Sequence, residues 1–311
     1  MKKSVALFLI VVFMAVGDSF GQSTYQFLKL DMSARAAALA GSFVSNADDP
    51  DVIFYNPAGI GLLKETPVSF SFVKHVLDIN LASLSYSTDL KNIGRIGAGV
   101  QYINYGTFTG ADESGNKTGD YGAQEVAFIA GYSNLLEENF YYGANVKYIF
   151  SKIADRTSNA IAMDFGLHYA IPANLMDIGF SIRNAGTQLT SYYTVRENLP
   201  LDFVLGVSKK MEHMPVRLSL DFHNLNDNAV AFFSRLKYFT VGAEFDLSKV
   251  LKLRFGFDNQ KRSDLTIGTS AGLAGFNVGL GAKIAGYNFD YGFSSFGLAG
   301  AINRITVSTS L

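Results

Sequence analysis

The side chains able to do chemistry in this 311-residue chain are few and scattered. Its four histidines, His75, His168, His213 and His223, do not recur at the spacing of a metal site, and there is no cysteine to supply a thiolate. No nucleophile-elbow, phosphate-loop or HExxH pattern is present. The stretch ADESGNKTGD gathers Asp112, Glu113, Asn116 and Asp120, oxygen donors of the kind calcium takes, without the ordered spacing of a calcium loop; it reads as a solvated hairpin. These residues predict a protein that is not an enzyme and that carries no metal or other cofactor.

A second polar set is more regular. Lys147, Asp164, His168, Arg217, Asp221, His223, Lys252, Arg254, Asp258, Lys283 and Asp290 all fall on the polar phase of segments in which every other residue is apolar. Mixed charges on such a phase can pair across neighbouring strands into an ion-pair network, or line a polar path. What must position them is a series of strands. In FYYGANVKYIFS, Phe140, Tyr142, Ala144, Val146, Tyr148 and Phe150 alternate with Tyr141, Gly143, Asn145, Lys147, Ile149 and Ser151, a period of two. The same rhythm runs from Ile161 to Tyr169, Val216 to Phe222, Phe239 to Leu247 and Leu251 to Phe257. One face is greasy, the other small or charged.

Fourteen such segments can be counted, near residues 67–74, 80–88, 94–104, 123–133, 140–151, 160–171, 176–184, 201–210, 215–224, 237–247, 250–258, 275–284, 287–294 and 302–310, with 264–272 read as a loop. Each is long enough to cross a hydrocarbon layer as a tilted strand, and bacterial outer-membrane barrels have even strand numbers. Charged residues are only 17% of the chain and aromatics 14%, whereas a soluble sandwich of this size would show Lys, Glu and Thr on its outward phase. The expected fold class is therefore all-β: a transmembrane antiparallel β-barrel of about 14 strands over residues 67–311, in the bacterial outer membrane and in contact with its lipid. Residues 105–123 and 184–200 read as long external loops, and 224–237 as a connection holding a short helix. Tyr102, Tyr105, Tyr132, Tyr192 and Tyr193 stand near strand ends, where interfacial aromatic belts are expected.

Residues 1–21 have the form of a signal peptide: Lys2 and Lys3, an apolar run from Val5 to Val16, then Ser19 and Gly21 before Gln22. Their removal takes two of 26 basic and one of 27 acidic residues, so the mature chain stays near neutrality and nothing in it suggests a nucleic-acid partner. Residues 22–66 are too apolar for a disordered tail and too broken for a strand. They are expected to form a plug segment with short helices inside the lumen. SARAAALAG (33–41) can start a helix at a Ser33 cap and stop it at Gly41. Asn56 can cap a second helix whose first residue is Pro57, followed by Ala58 and Gly59.

The stretch YQFLKLDMSARAAALAGSFVSNADDPDVIFYNPAGIG and the closing FDYGFSSFGLAGAINRITVSTSL resemble the two ends of the PorV/PorQ family, FadL-type outer-membrane barrels associated with the type IX secretion system; the opening is closer to PorQ. The resemblance implies a fourteen-stranded barrel with a plug carrying Asn56, Pro57 and Ala58. It also implies a non-enzymatic part in cargo attachment or in anchoring surface partners, other type IX secretion proteins among them. The alternative is a FadL-like channel for hydrophobic small molecules, with a lipid-like or hydrophobic ligand. The chain departs from the family at Asn303, where a His often precedes the last strand's Arg, and at its non-aromatic terminus, Leu311.

Overall fold

The computed structural model describes residues 23–227, 232–266 and 271–311; residues 1–21, expected to be a signal peptide, lie outside them. Fourteen strands form one closed barrel. They are β1 (Pro67–Lys74), β2 (Asn80–Leu90), β3 (Gly94–Ala111), β4 (Lys117–Glu137), β5 (Phe140–Ile153), β6 (Arg156–Ile171) and β7 (Met176–Thr190), then β8 (Asp202–Lys210), β9 (Val216–Phe222), β10 (Phe239–Asp246), β11 (Leu251–Asp258), β12 (Phe276–Ile284), β13 (Tyr287–Ser295) and β14 (Ala301–Ser310). Each strand pairs antiparallel with its neighbours in sequence. The ring closes where β1 meets β14, from Pro67 opposite Ser310 to Lys74 opposite Asn303. Closure leaves no unpaired sheet edge around the wall, which is what a lipid environment demands of a β-structure.

The period of two decides which way side chains point. Phe70, Phe72, Leu84, Phe128, Tyr148, Phe255 and Ile305 are exposed on the outer wall, whereas Ser69, Ser71, Asn145, Lys147 and Asp221 are buried inside. This inversion of the soluble pattern marks the lipid-facing surface. Among the described residues, no helix is long and apolar enough to cross a membrane.

All fourteen expected segments are strands, but the expected loop at 105–123 is mostly strand too. β3 and β4 continue beyond their outer neighbours, pairing Thr107 with Gly122 and Ala111 with Lys117, while β2 stops opposite Asn104 and β5 opposite Ala123. Both faces of this extension meet solvent, so the alternation that reveals a wall strand is absent. The Thr residues and the stacked Phe108–Tyr121 pair still favour extended backbone. Its tip is a turn in which Asp112 Oδ1 accepts from the amides of Ser114 and Asn116. Likewise β7 runs on to Thr190 before its loop begins. The connection 224–237 does hold a short helix, Phe232–Arg235, and the described residues of 264–272 lie outside the strands.

Connections at one end of the barrel span two to five residues (for example 138–139 and 211–215), while the other end carries the β3–β4 extension and the connections 191–201, 223–238 and 259–275. Barrels of this class keep short turns in the periplasm and long loops outside, which orients the molecule.

Candidate functional site

From Ser23 to Thr66 the chain runs along the inner face of the barrel. It begins near the external loops, where Thr24 N donates to Asn198 O at 3.0 Å and Tyr25 and Ser158 share a hydroxyl hydrogen bond of 2.5 Å. It ends at the short-turn mouth, where Arg95 donates to the Leu63 carbonyl before β1 starts. Between these points no ladder is available, so its backbone groups are met by local caps. Ser33 Oγ accepts from Ala36 N at the head of a one-turn helix, Ala34–Ala38, and Gly41 (φ 77°) ends the turn by donating to Ala36 O at 2.8 Å. Asp49 caps Pro50–Phe54, and Asn56 caps Pro57–Leu62.

Asn56 does more than cap. Its Oδ1 accepts from Ala58 N at 3.1 Å, and its Nδ2 donates to Val44 O at 2.8 Å and to Leu167 O on β6 at 3.0 Å. One fully buried side chain thus ties two parts of the segment to the wall. Pro57, Ala58 and Gly59 are buried beside it, and a Cβ on Gly59 would lie 2.4 Å from Val52 Cγ2.

The wall has made room for this backbone. A Cβ on Gly143 would lie 2.5 Å from Ala58 N, one on Gly166 2.0 Å from Asn56 Oδ1, and one on Gly179 2.2 Å from Val44 O. On the far side Gly256 and Gly292 stand equally close to the backbone of Ala40 and Ala34. Glycine recurs on the inner phase because main chain packs against main chain there.

Charged side chains from wall and segment interlock. Asp221 accepts from the amides of Phe43 (2.7 Å) and Val44 (2.9 Å). Arg35 lies 2.8 Å from Glu244, 3.0 Å from Asp48 and 3.3 Å from Asp49. Arg254 meets Glu244 at 2.6 Å and Asp290 at 2.5 Å; Lys252 meets Glu244 at 2.9 Å; Arg217 stands 3.7 Å from Asp48. Lys147 and Asp164 form a buried pair at 2.8 Å, completed by Asn184 and by Asn145, which also donates to Ile53 O. The remaining expected residues lie apart from the segment's clamp. His168 contacts Asp177 at 3.1 Å, His223 contacts Thr240 at 3.2 Å, Asp258 caps a short helix, Asn259–Asp264, and Lys283 is exposed at the short-turn mouth.

Several partners are not in the set read from sequence: Arg35, Asp49, Asp51 and Glu244, and on the wall the Arg183–Asp202 pair at 2.5 Å. Glu244 occupies the polar phase of its own strand, so its signal was present. Asp49 and Asp51 sit in an irregular stretch where periodicity gives none. Asp51 is 1% exposed and accepts from the hydroxyls of Ser69 (3.1 Å) and Ser85 (2.7 Å), which tie it to β1 and β2. Burial, with the neighbouring Asp49 carboxylate, pushes its pKa up to about 7.

Toward the external end the inner phase turns apolar. Leu81, Ile103 and Ile149 continue the same phase as Ser83, Gln101 and Lys147, and with Val73 and Ile302 they receive Tyr25, Phe27, Leu28 and Met32. Two tyrosines expected in the interfacial belts belong here instead. Tyr105 OH donates to Glu125 at 2.5 Å and Tyr192 OH bonds Ser151 inside the barrel, because the inner phase offers their hydroxyls a partner. Tyr102 and Tyr132 do lie on the outer phase, and Tyr193 is exposed beneath Arg156. Among the described residues there is no cluster of three or more metal-ligating side chains.

No family model matches the chain, and no curated protein matches it. Its fold is that of solved outer-membrane barrels. It is similar to a FadL homologue from Pseudomonas aeruginosa (TM-score 0.58, 9% identity) over 90% of this chain and 98% of that one. It is similar to the Pseudomonas putida toluene transporter TodX (0.56, 14%) over 88% and 96%. It is also similar to the monoaromatic hydrocarbon channel CymD (0.55, 11%) over 90% and 97%. The protein is a bacterial outer-membrane β-barrel of FadL-like fold.

Proposed function

We propose that the protein is a non-enzymatic FadL-like channel that takes up a hydrophobic small molecule at its external end. The observation that carries this reading is the uneven anchoring of the N-terminal segment. Residues 33–58 are held by buried ion pairs and amide hydrogen bonds to many strands, whereas Phe27, Leu28 and Met32 rest on an apolar wall, with single polar ties at Thr24, Tyr25, Lys29 and Asp31. In this reading residues 33–66 are the fixed part of a plug and residues 23–32 a displaceable lid. A hydrophobic ligand replaces apolar contact with apolar contact, at about 25 cal/mol per Å² buried, and must also release the polar bonds at Thr24, Tyr25, Lys29 and Asp31. The similar proteins of known structure include a toluene transporter and a monoaromatic hydrocarbon channel, which supports the same reading.

The test is binding of toluene to the purified barrel in detergent by calorimetry, in wild type and Phe27→Ala. The reading expects one-to-one binding that tightens when the lid loses its ring and vacates wall area; absence of binding in both proteins overturns it.

A second reading is a surface anchor for type IX secretion. It is supported by the PorV/PorQ-like ends, which meet inside the barrel (Ala34 N donates to Thr306 Oγ1 at 2.9 Å and Arg304 Nε to Asp31 O at 2.8 Å), and by the projecting β3–β4 hairpin with its exposed Phe108 and Tyr121. Deletion of the gene followed by surface proteomics separates the two: loss of proteins bearing type IX C-terminal signals favours the anchor, and an unchanged surface favours the channel.

A further inference from the structure

At the short-turn mouth, between residues 48–50 and the lower ends of β11 to β14, lies a cavity of about 230 Å³. Its lining carries five cations, Arg35, Lys249, Lys252, Arg254 and Lys283, and three carboxylates, Asp48, Asp49 and Asp290, with Asn288 and Ser308 beside them. Pairing of Leu251 with Ala282, and the bond from Lys283 N to Val250 O at 2.9 Å, bring the turn bearing Lys249 beside the strand end bearing Lys283.

The charges here do not balance. Glu244 already serves three cations, Arg35, Lys252 and Arg254, at 2.8, 2.9 and 2.6 Å. Asp246 is shared by Lys210 and Lys252, and Asp48 by Arg35 and Arg217. Asp290 is held by Arg254 at 2.5 Å, and Asp49 by Arg35 at 3.3 Å and by the Asp51 amide at 2.9 Å. Every carboxylate near the cavity is thus engaged, while Lys249 and Lys283 have no carboxylate in ion-pair reach among the described residues. Neutral donors stand with them: Asn288 Nδ2 spends one hydrogen on Ser308 Oγ at 3.3 Å and keeps the other. The wall behind is bare, because a Cβ on Gly281 would lie 2.6 Å from Asp290 Oδ1 and 2.8 Å from Arg254.

We infer that this cavity is a periplasmic binding site for a phosphate monoester. Two unpartnered ammonium groups call for a ligand carrying close to two negative charges, which a phosphomonoester has near neutral pH and a single carboxylate does not. Its oxygens accept from the two lysines, the Asn288 amide and the Ser308 hydroxyl, with lysine acting as a point charge rather than a fork. The ligand is a free phosphoester or the head of an inner-leaflet lipid.

The test uses the full mature chain in zwitterionic detergent. Inorganic phosphate and glycerol phosphate are titrated by calorimetry into wild type, Lys249→Gln/Lys283→Gln and Lys283→Glu. The expected result is one-to-one binding that weakens at least about tenfold in the double variant, the size expected for losing charge-assisted hydrogen bonds, and that falls as salt rises. Both lysines are exposed, so barrel folding, read from heat-modifiable gel migration, is expected to survive; Lys283→Glu gives an independent reading. No phosphate binding to wild type at millimolar concentration, or equal binding by folded variants, overturns the proposal. Phosphatidic acid in nanodiscs distinguishes the sources: competition with glycerol phosphate assigns a lipid head, and its absence a free phosphoester.

Discussion

Replacing Asp51 by Asn should stabilise the protein at alkaline pH and reduce its pH dependence. The Asp51 carboxyl is raised from 3.8 in the unfolded chain to about 7 in the barrel, by burial and by Asp49. A raised carboxyl pKa means that the native state resists ionisation. The penalty is absent below pH 3.8, grows between the two values and is complete above about 7. At about 1.4 kcal/mol per pH unit, the wild type should lose up to about 4 kcal/mol between pH 4 and pH 8. Asparagine carries no charge, and the Ser69 and Ser85 hydroxyls can rotate to donate to its oxygen or accept from its nitrogen. The assay is guanidinium unfolding of the detergent-solubilised barrel, followed by circular dichroism at pH 5, 6, 7 and 8.5. Wild-type stability should fall across that series while Asp51→Asn falls less steeply and exceeds wild type at pH 8.5. Stability that rises with pH, or a variant that keeps the wild-type slope, would refute the assignment of the proton to this site.

Two further outcomes follow from the packing. Gly143→Ala drives a methyl to 2.5 Å from the backbone at Pro57 and Ala58; a cost of about 1–3 kcal/mol and faster proteolysis within residues 50–60 are expected, while Gly122→Ala, whose Cβ meets only Gly106 O at 3.5 Å, serves as the harmless control. Lys147→Met leaves Asp164 buried without its cation and should cost about 3–5 kcal/mol in the same unfolding assay, and Lys147→Met/Asp164→Leu should recover much of the loss.

The strands were legible because each has lipid on one side and the lumen on the other, and that contrast writes itself into every second residue. All fourteen could be counted from Pro67 to Ser310. Where the contrast vanishes the reading weakens: the β3–β4 extension has water on both faces and looked like a loop. The caps at Ser33, Asp49 and Asn56 obey local rules, and those at Ser33 and Asn56 could be read from the residues that follow them.

Partnership across the lumen is a different matter. Arg35 and Glu244 are separated by 209 residues, Phe43 and Asp221 by 178, and neither spacing carries a trace of the contact. The glycines of the inner phase were visible, but their purpose was not, since only the folded barrel brings Gly166 against Asn56 and Gly143 against Ala58. The sequence by itself determined a chain whose strands close into a membrane barrel, because burial on a pleated wall is periodic and local. Only the tertiary structure decided which charges meet, which lysines are left without a partner and where the N-terminal segment rests, because those depend on how the ring of strands closes around it.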